Sequence, residues 1–261
     1  MNVPTLLVAN AIAVLVLMGV TALVAKRMGR VVIVDMMWGL GFVLIALVSA
    51  LLGDTSVRWL LLAMVAVWGC RLGWHTGRRL LATDEEDPRY AALLEGKPFS
   101  HAVVRVFLTQ GVAMWFVSLP VQVAAASDQG WWTWLIVLGV LVYLVGLAFE
   151  SIGDQQLAAY KLDPDRPPVM DRGLWHYTRH PNYFGDSCVW WGIFLVGVGS
   201  SRLVLTTVLS PAVMTWFLVF ATGAKLLEKT MMKRDGYPEY AERTSMFFPL
   251  PPKKRAKTDL S

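Results

Sequence analysis

Charge is scarce in this sequence. Only 16% of its 261 residues are Asp, Glu, Lys or Arg, against about 25% in soluble domains, and they are bunched. That excludes an ordinary water-soluble globule. Cysteine is scarce too. Cys70 and Cys188 stand far apart, each in or at the end of an apolar run, so no disulfide is expected. No CxxC or Cys/His spacing for zinc occurs. The four histidines (His75, His101, His176, His180) form no HExxH pattern, and no metal site is expected. No GxGxxG follows a strand pattern, which excludes a soluble dinucleotide-binding domain. No repeat of fixed period is visible.

What remains is oil. Hydrophobic residues make up 56% of the chain, the mean hydropathy is +0.50, and twelve Trp suit a membrane–water interface. A helix needs about 20 apolar residues to cross the hydrocarbon core. Seven such runs are expected, at 3–25, 32–52, 57–74, 102–126, 131–150, 183–199 and 203–224. The predicted fold is all-α, a polytopic membrane helix bundle. Residues 1–250 form one transmembrane domain, and the basic residues 251–261 form a disordered tail near anionic headgroups. The first run has no basic residue before it and is longer than a signal-peptide core, so it is expected to be a span.

Lys and Arg set the orientation. Segments 26–30, 71–105, 151–182 and 225–261 hold 22 of the 24, leaving only Arg58 and Arg202 for the other connections. The N-terminus is therefore expected outside, with the long connections and the C-terminus in the cytoplasm. This asymmetry also accounts for the net charge of +5, so no nucleic-acid partner is expected.

Several polar groups sit where burial penalises them. Glu150 and Asp154 share a helix face at the end of the fifth run, and Glu150 still lies within "LVGLAFE". Asp35 falls inside the second run. A carboxylate there costs about 2.5 kcal/mol or more without a partner. Arg71 or another nearby Arg is the expected partner, in either a site or a structural ion pair. Arg71, His75 and Arg78 share one face of the third run, with Arg79 beside them. In "DRGLWHYTRHPNYFGD", Pro181 suits the first turn of a helix. The helix N-terminus, Arg172, Arg179 and His180 then make an anion site, and Asn182 and Asp186 project at i, i+4. These residues also suit simple anchoring at the interface. Tyr237, Tyr240, Arg243 and Phe247–Phe248 in the tail suit either a cover for a cofactor or an interfacial anchor.

The strings "FExxxDxQ", "GLWHYTRHPNYFGD", "YPEYAERTSMFFP", "DxxWG" at Asp35–Gly39 and "WGxRLGxH" at Trp68–His75 resemble, over essentially the whole chain, the DUF1295 branch of the steroid 5-alpha-reductase-like membrane proteins. RHPNYFG also occurs in variant form in isoprenylcysteine carboxyl methyltransferases and sterol reductases. The resemblance implies a seven-helix fold holding NADPH in a cavity open to the cytosol and passing hydride to a carbon–carbon double bond of a lipid. By position, Asp154 and Lys161 meet the cofactor, Asn182 meets the nicotinamide amide, and Asp186 stands where the family has Glu. Arg71 and Arg79 are assigned to phosphates, and Arg234, Tyr237, Tyr240 and Arg243 close the site. Arg172, Tyr177, Arg179 and His180 complete the expected cofactor set, and Asp35, His75 and Tyr183 are the expected catalytic residues. Trp68 occupies the place of the family's substrate-polarising Tyr. The alternative is a methyltransferase using S-adenosylmethionine; the Arg-rich rim favours the phosphates of NADPH. The expected partners are a lipid or steroid-like substrate and membrane lipids, around a monomer in a bacterial inner membrane with its active side toward the cytoplasm.

Overall fold

The computed structural model describes residues 1–130, 132–221 and 223–253. Helices dominate, and among the described residues only two isolated β-bridges occur, Gln129 to Ser201 and Thr178 to Ser245. The expected tail residues 254–261 lie outside the described residues; Pro251–Lys253 have no regular secondary structure, and the Lys253 amide donates to the Arg243 carbonyl.

Helix α1 is Val3–Met28, capped by the Asn2 side chain and ended by Gly29 in the left-handed conformation. α2 is Ile33–Leu52, α3 Val57–Leu81, α4 Pro88–Leu94 and α5 Phe99–Ala102. A π-helical turn, Val103–Leu108, leads into α6, Thr109–Val117. After Ser118 comes α7, Leu119–Ala125. The expected fourth run is thus divided, with Pro120 placed in the first turn of α7, where its missing N–H costs no bond. α8 spans Thr133–Leu162, continuing past Glu150, where its apolar run ends. α9 is Pro181–Ser200. The last run opens with a 3₁₀ segment, Arg202–Thr207, continues as α10, Leu209–Trp216, and a π turn, Phe217–Ala221, and closes with α11, Ala224–Met231. α12 is Tyr237–Arg243.

Six of these runs are long and apolar enough to cross a membrane: Val3–Met28, Ile33–Leu52, Val57–Leu81, Phe99–Val117, Thr133–Leu162 and Arg202–Met231. The chain is an all-α protein with membrane-spanning helices. α9 is as long as α2, but Asn182, Asp186 and its indoles keep it out of the six.

The residues group into two compact units, Met1–Leu138 with Ile193–Ser210, and Gly139–Gly192 with Pro211–Ser261. In the first, α2 and α3 pack through glycines. A Cβ on Gly39 would stand 2.5 Å from the Gly69 carbonyl oxygen, and one on Gly69 would stand 2.6 Å from that of Gly39. Small residues let backbones approach where lipid offers no hydrophobic drive to associate. Phe42 meets Trp68 edge-on at 5.6 Å, both buried, and Asn10 donates to Ser49 Oγ at 3.0 Å inside the bundle. In the second unit, a Cβ on Gly185 would meet the Gly146 carbonyl oxygen at 2.5 Å. This contact brings α9 onto the stretch of α8 that carries Glu150. Leucines, valines and isoleucines line the outer face of α1, as a lipid-facing surface requires.

Candidate functional site

A polar cluster in the first unit surrounds Asp35. Asp35 stands in the first turn of α2, at its end and not at mid-depth. Its Oδ1 accepts from the Tyr90 hydroxyl at 2.5 Å and its Oδ2 from Arg89 Nη2 at 2.8 Å; Gln110 Nε2 donates to the Tyr90 oxygen at 3.2 Å. The partner of Asp35 is therefore Arg89 and not Arg71. The reason is register. Gly39 packs on Gly69 and Gly73, which sets Arg71 level with Gly39, about one turn along from Asp35. Asp87 caps α4, its carboxylate accepting from the Arg89 amide at 2.9 Å, and so delivers Arg89 and Tyr90 to the start of α2. Glu86 accepts from the amides of Val31 and Val32, meeting the partial positive charge of that helix end.

Hydrogen bonding to Asp87 holds the Arg89 guanidinium above its ordinary range, and Arg89 in turn lowers Asp87. Burial, with the Asp35 charge next, pushes the Tyr90 phenol up. A cavity of about 210 Å³ adjoins these groups, lined among others by Arg30, Asp35, Thr76, Arg79 and Glu86. Arg71 and His75 are half-buried on α3, and Arg79 is exposed.

The second unit holds a larger cluster. Segment Gly173–Asn182 is pinned to one turn of α8. The Leu174 amide donates to Gln156 Oε1 at 3.0 Å, Trp175 Nε1 to the Gly153 carbonyl at 3.1 Å, and Asn182 Nδ2 to Asp154 Oδ1 at 3.2 Å. As expected, α9 begins at Pro181 and leaves His180 as the last loop residue. The anion that Arg179 and His180 meet is Glu228 of α11. Arg179 Nε and Nη2 donate to its two oxygens at 2.6 and 2.9 Å, and His180 Nε2 lies 3.2 Å from Oε1. Arg179 Nη1 also donates to the carbonyls of Ala241 and Thr244 at 2.7 and 2.5 Å. The fork of Arg179 thus ties three segments together.

Further bonds complete a clasp of the C-terminal segment over this loop. The Tyr240 hydroxyl donates to the Trp175 carbonyl at 2.5 Å. Thr178 Oγ1 donates to the Phe247 carbonyl at 2.9 Å, and the Arg179 amide to that of Ser245 at 2.9 Å. Arg243 pairs with Asp171. Tyr237 is 6% exposed, and its hydroxyl is enclosed by protein beside Arg179 and Glu228. Burial, with the Glu228 charge next, pushes that phenol up to about 12, and burial raises Tyr240 as well. The ring of Tyr183 stacks on His180 with centroids 5.5 Å apart.

Of the expected residues, Asp154, Arg179, His180, Asn182, Tyr183, Tyr237, Tyr240 and Arg243 therefore belong to one connected network. Asp186 is buried on α9, while Lys161, Arg172, Tyr177 and Arg234 are exposed. Glu228, Gln156 and Trp175 hold the network together without having been expected in it. A carboxylate on the otherwise lysine-rich α11 was the available signal for Glu228. Among the described residues no group of three or more His, Cys, Asp or Glu is placed to hold a metal ion.

The family model described as "Protein of unknown function (DUF1295)" matches residues 22–244. The chain belongs to the DUF1295 family. Over 67 residues, a quarter of the chain, it is 32% identical to Steroid 5-alpha-reductase DET2 of Arabidopsis thaliana, covering 26% of that protein. Over 231 residues, 74% of the chain, it is 23% identical to an uncharacterised protein of Schizosaccharomyces pombe, covering 64% of it. The chain therefore matches about a quarter of the first relative's length and less than two thirds of the second's. No solved structure matches. The similarity to a membrane reductase is distant, and the residues of this DUF1295 chain have to carry the rest.

Proposed function

We propose that this chain is a membrane-embedded reductase that uses NADPH to reduce a carbon–carbon double bond in a hydrophobic lipid substrate. The observation that carries the proposal is the Asn182–Asp154 pair. It is a half-exposed amide and carboxylate, held by α9 and one turn of α8, with the loop of Trp175 pinned beside them. The pair offers donors and acceptors of the kind a nicotinamide amide or a ribose requires, and this fits the cofactor. Arg179 is committed to Glu228 and to backbone carbonyls, so the phosphates would be met by the exposed cations Lys161, Arg172 and Arg234.

NADPH, when bound, supplies the hydride. The chain's own residues supply the place. Asn182 and Asp154 would orient the nicotinamide end. Phe184, within 6.0 Å of Phe247 and 6.2 Å of Phe248, would keep water away. Tyr183, stacked on His180, would hold the proton for the acceptor carbon. The sequence similarity to the plant steroid reductase supports this class of reaction, and the substrate is proposed as an apolar lipid because the surrounding helices are apolar.

Titration of the purified protein with NADPH, followed by quenching of its tryptophans, tests the proposal. Micromolar affinity is expected, and Asn182→Ala or Asp154→Ala should weaken it by about tenfold or more, as loss of a hydrogen bond to a polar ligand does. Binding of S-adenosylmethionine without binding of NADPH would replace the proposal with a membrane methyltransferase.

A further inference from the structure

A second feature of the first unit is an apolar groove that ends beside the Asp35 cluster, with Glu86 and Tyr90 of that cluster lining its far end. Between α1 and the helical run from Val103 to Trp115 is a cavity of about 450 Å³ walled by apolar side chains. On α1 its wall is Ala11, Val14, Leu15, Met18, Gly19 and Ala22. These positions recur at three and four residues and so form one stripe. The same stripe continues through Ala25, Lys26 and Gly29, which line a second cavity of about 360 Å³ together with Lys97 and Phe99. Phe99 of the second cavity and Phe107 of the first touch, with ring centroids 6.3 Å apart. The two cavities thus abut end to end.

The ends of this groove differ. At one, Trp115 Nε1 donates to the Leu7 carbonyl at 3.0 Å, tying the two walls together beyond Ala11. At the other stand the exposed ammonium groups of Lys26 and Lys97. The carboxylate there, Glu86, already accepts from the amides of Val31, Val32 and Asp87, so its charge is directed at the α2 end. With Lys26 one turn beyond it, the first cavity runs from Ala11 to Ala22 over about 16 Å at 1.5 Å per residue. That matches one leaflet, half of a hydrocarbon core about 30 Å thick.

From this combination we infer that the groove is a binding site for one anionic phospholipid of the surrounding bilayer, an acyl chain lying along α1 and the headgroup meeting Lys26 and Lys97. A chain from the bilayer enters an apolar slot of one-leaflet length, and the charges at its mouth select the sign of the head. The π-helical turn Val103–Leu108 forms part of the opposite wall, and such turns are frequent at functional sites. Gly19 keeps the slot open: a Cβ there meets nothing within 4 Å. This inference does not rest on the reductase proposal.

Native mass spectrometry of the full chain in an uncharged detergent, titrated with phosphatidylglycerol or phosphatidylcholine of identical acyl chains, tests it. Phosphatidylglycerol should bind on the order of tenfold more tightly, since each lysine near a headgroup favours an anionic lipid. The double variant Lys26→Gln/Lys97→Gln, changed only at exposed positions, should lose that preference and keep the phosphatidylcholine affinity. Gly19→Leu should weaken both lipids by filling the slot. Equal binding of the two lipids by the parent chain would overturn the inference, as would an unchanged preference in the lysine variant. Undiminished lipid binding by Gly19→Leu would overturn it too, including the case in which that variant alters only self-association.

Discussion

The two polar clusters are built from similar residues and differ in how they are enclosed. Around Asp35, the Arg89 side chain is 49% exposed, the bonds run to a loop and a two-turn helix, and a cavity opens beside them. Around Glu228, the Arg179 side chain is 10% exposed, and four of its five N–H donors are taken by a carboxylate and two carbonyls. A charge pair in water contributes about 0–1 kcal/mol, whereas an enclosed charge stripped of its partner is costly. The first cluster is therefore a fastening of a helix end, and the second is the keystone of the segment that carries Asn182. One Arg–carboxylate pair can be lost with small effect, and the other cannot.

Substitutions sharpen that contrast. The largest effect is expected for Glu228→Ala, which leaves Arg179 and His180 enclosed without their anion and should cost about 3–5 kcal/mol. It is read as a lowered unfolding temperature in detergent and early proteolysis of residues 237–250. A Glu228→Ala protein as stable as its parent would erase the distinction. Alkaline titration probes the same keystone. Burial raises Tyr237 from 10.0 to about 12, so the folded chain keeps a proton that the unfolded chain loses. The stabilisation is complete below pH 10 and disappears as pH rises through 12. Protection of residues 237–250 should fall over that window, and the fall should be shallower in Tyr237→Phe. An identical profile in that variant would show that the phenol does not couple to the clasp.

In the first unit, Tyr90→Phe removes the hydroxyl between Asp35 and Gln110 and should cost about 1–3 kcal/mol through two polar groups left short of a partner. The smallest effect is expected for Arg89→Ala, within about 1 kcal/mol because the side chain is half in water. Thermal unfolding of the two variants side by side checks their order. A loss with Arg89→Ala as large as with Glu228→Ala would mean that the clusters are enclosed alike.

The helices were legible where apolar length alone decides them. α1, α2 and α3 start within a residue or two of the expected runs, and Pro181 marks the start of α9 because a proline in a first turn wastes no donor. The continuation of α8 from Asp154 to Leu162 was not legible. Its residues include the polar Gln155, Gln156 and Lys161, and only the segment packed on that turn, through Gln156 and Gly153, shows why it stays helical. The division of the fourth run at Ser118 and the π turns were likewise invisible to hydropathy, which counts apolar residues and not hydrogen-bond register.

Among the candidate site residues, the types were readable and the pairings were not. Asn182 and Asp186 on one face, with Arg179 and His180 before them, were visible as a polar group at the mouth of an apolar helix. That Arg179 meets Glu228, 49 positions on, was not, because spacing along a chain carries no information about contact beyond a helix turn or two. For Asp35 the expectation of an Arg partner, Arg71 or another nearby, was sound, and which of them it is, Arg89, was not legible. α2 and α3 pack at Gly39 and Gly69, and that contact sets which residues stand level.

The sequence alone determined that this protein lives in a membrane, since its apolar runs outnumber any soluble core's needs and its charges gather in the connections. It also determined which side chains could do chemistry, since so few polar groups remain. The tertiary structure alone decided which of them are occupied with one another. Asn182 and Asp154 stand half open, while Arg179, His180 and Glu228 are closed into a keystone, because helix packing through glycines fixes the register and register decides which charges meet.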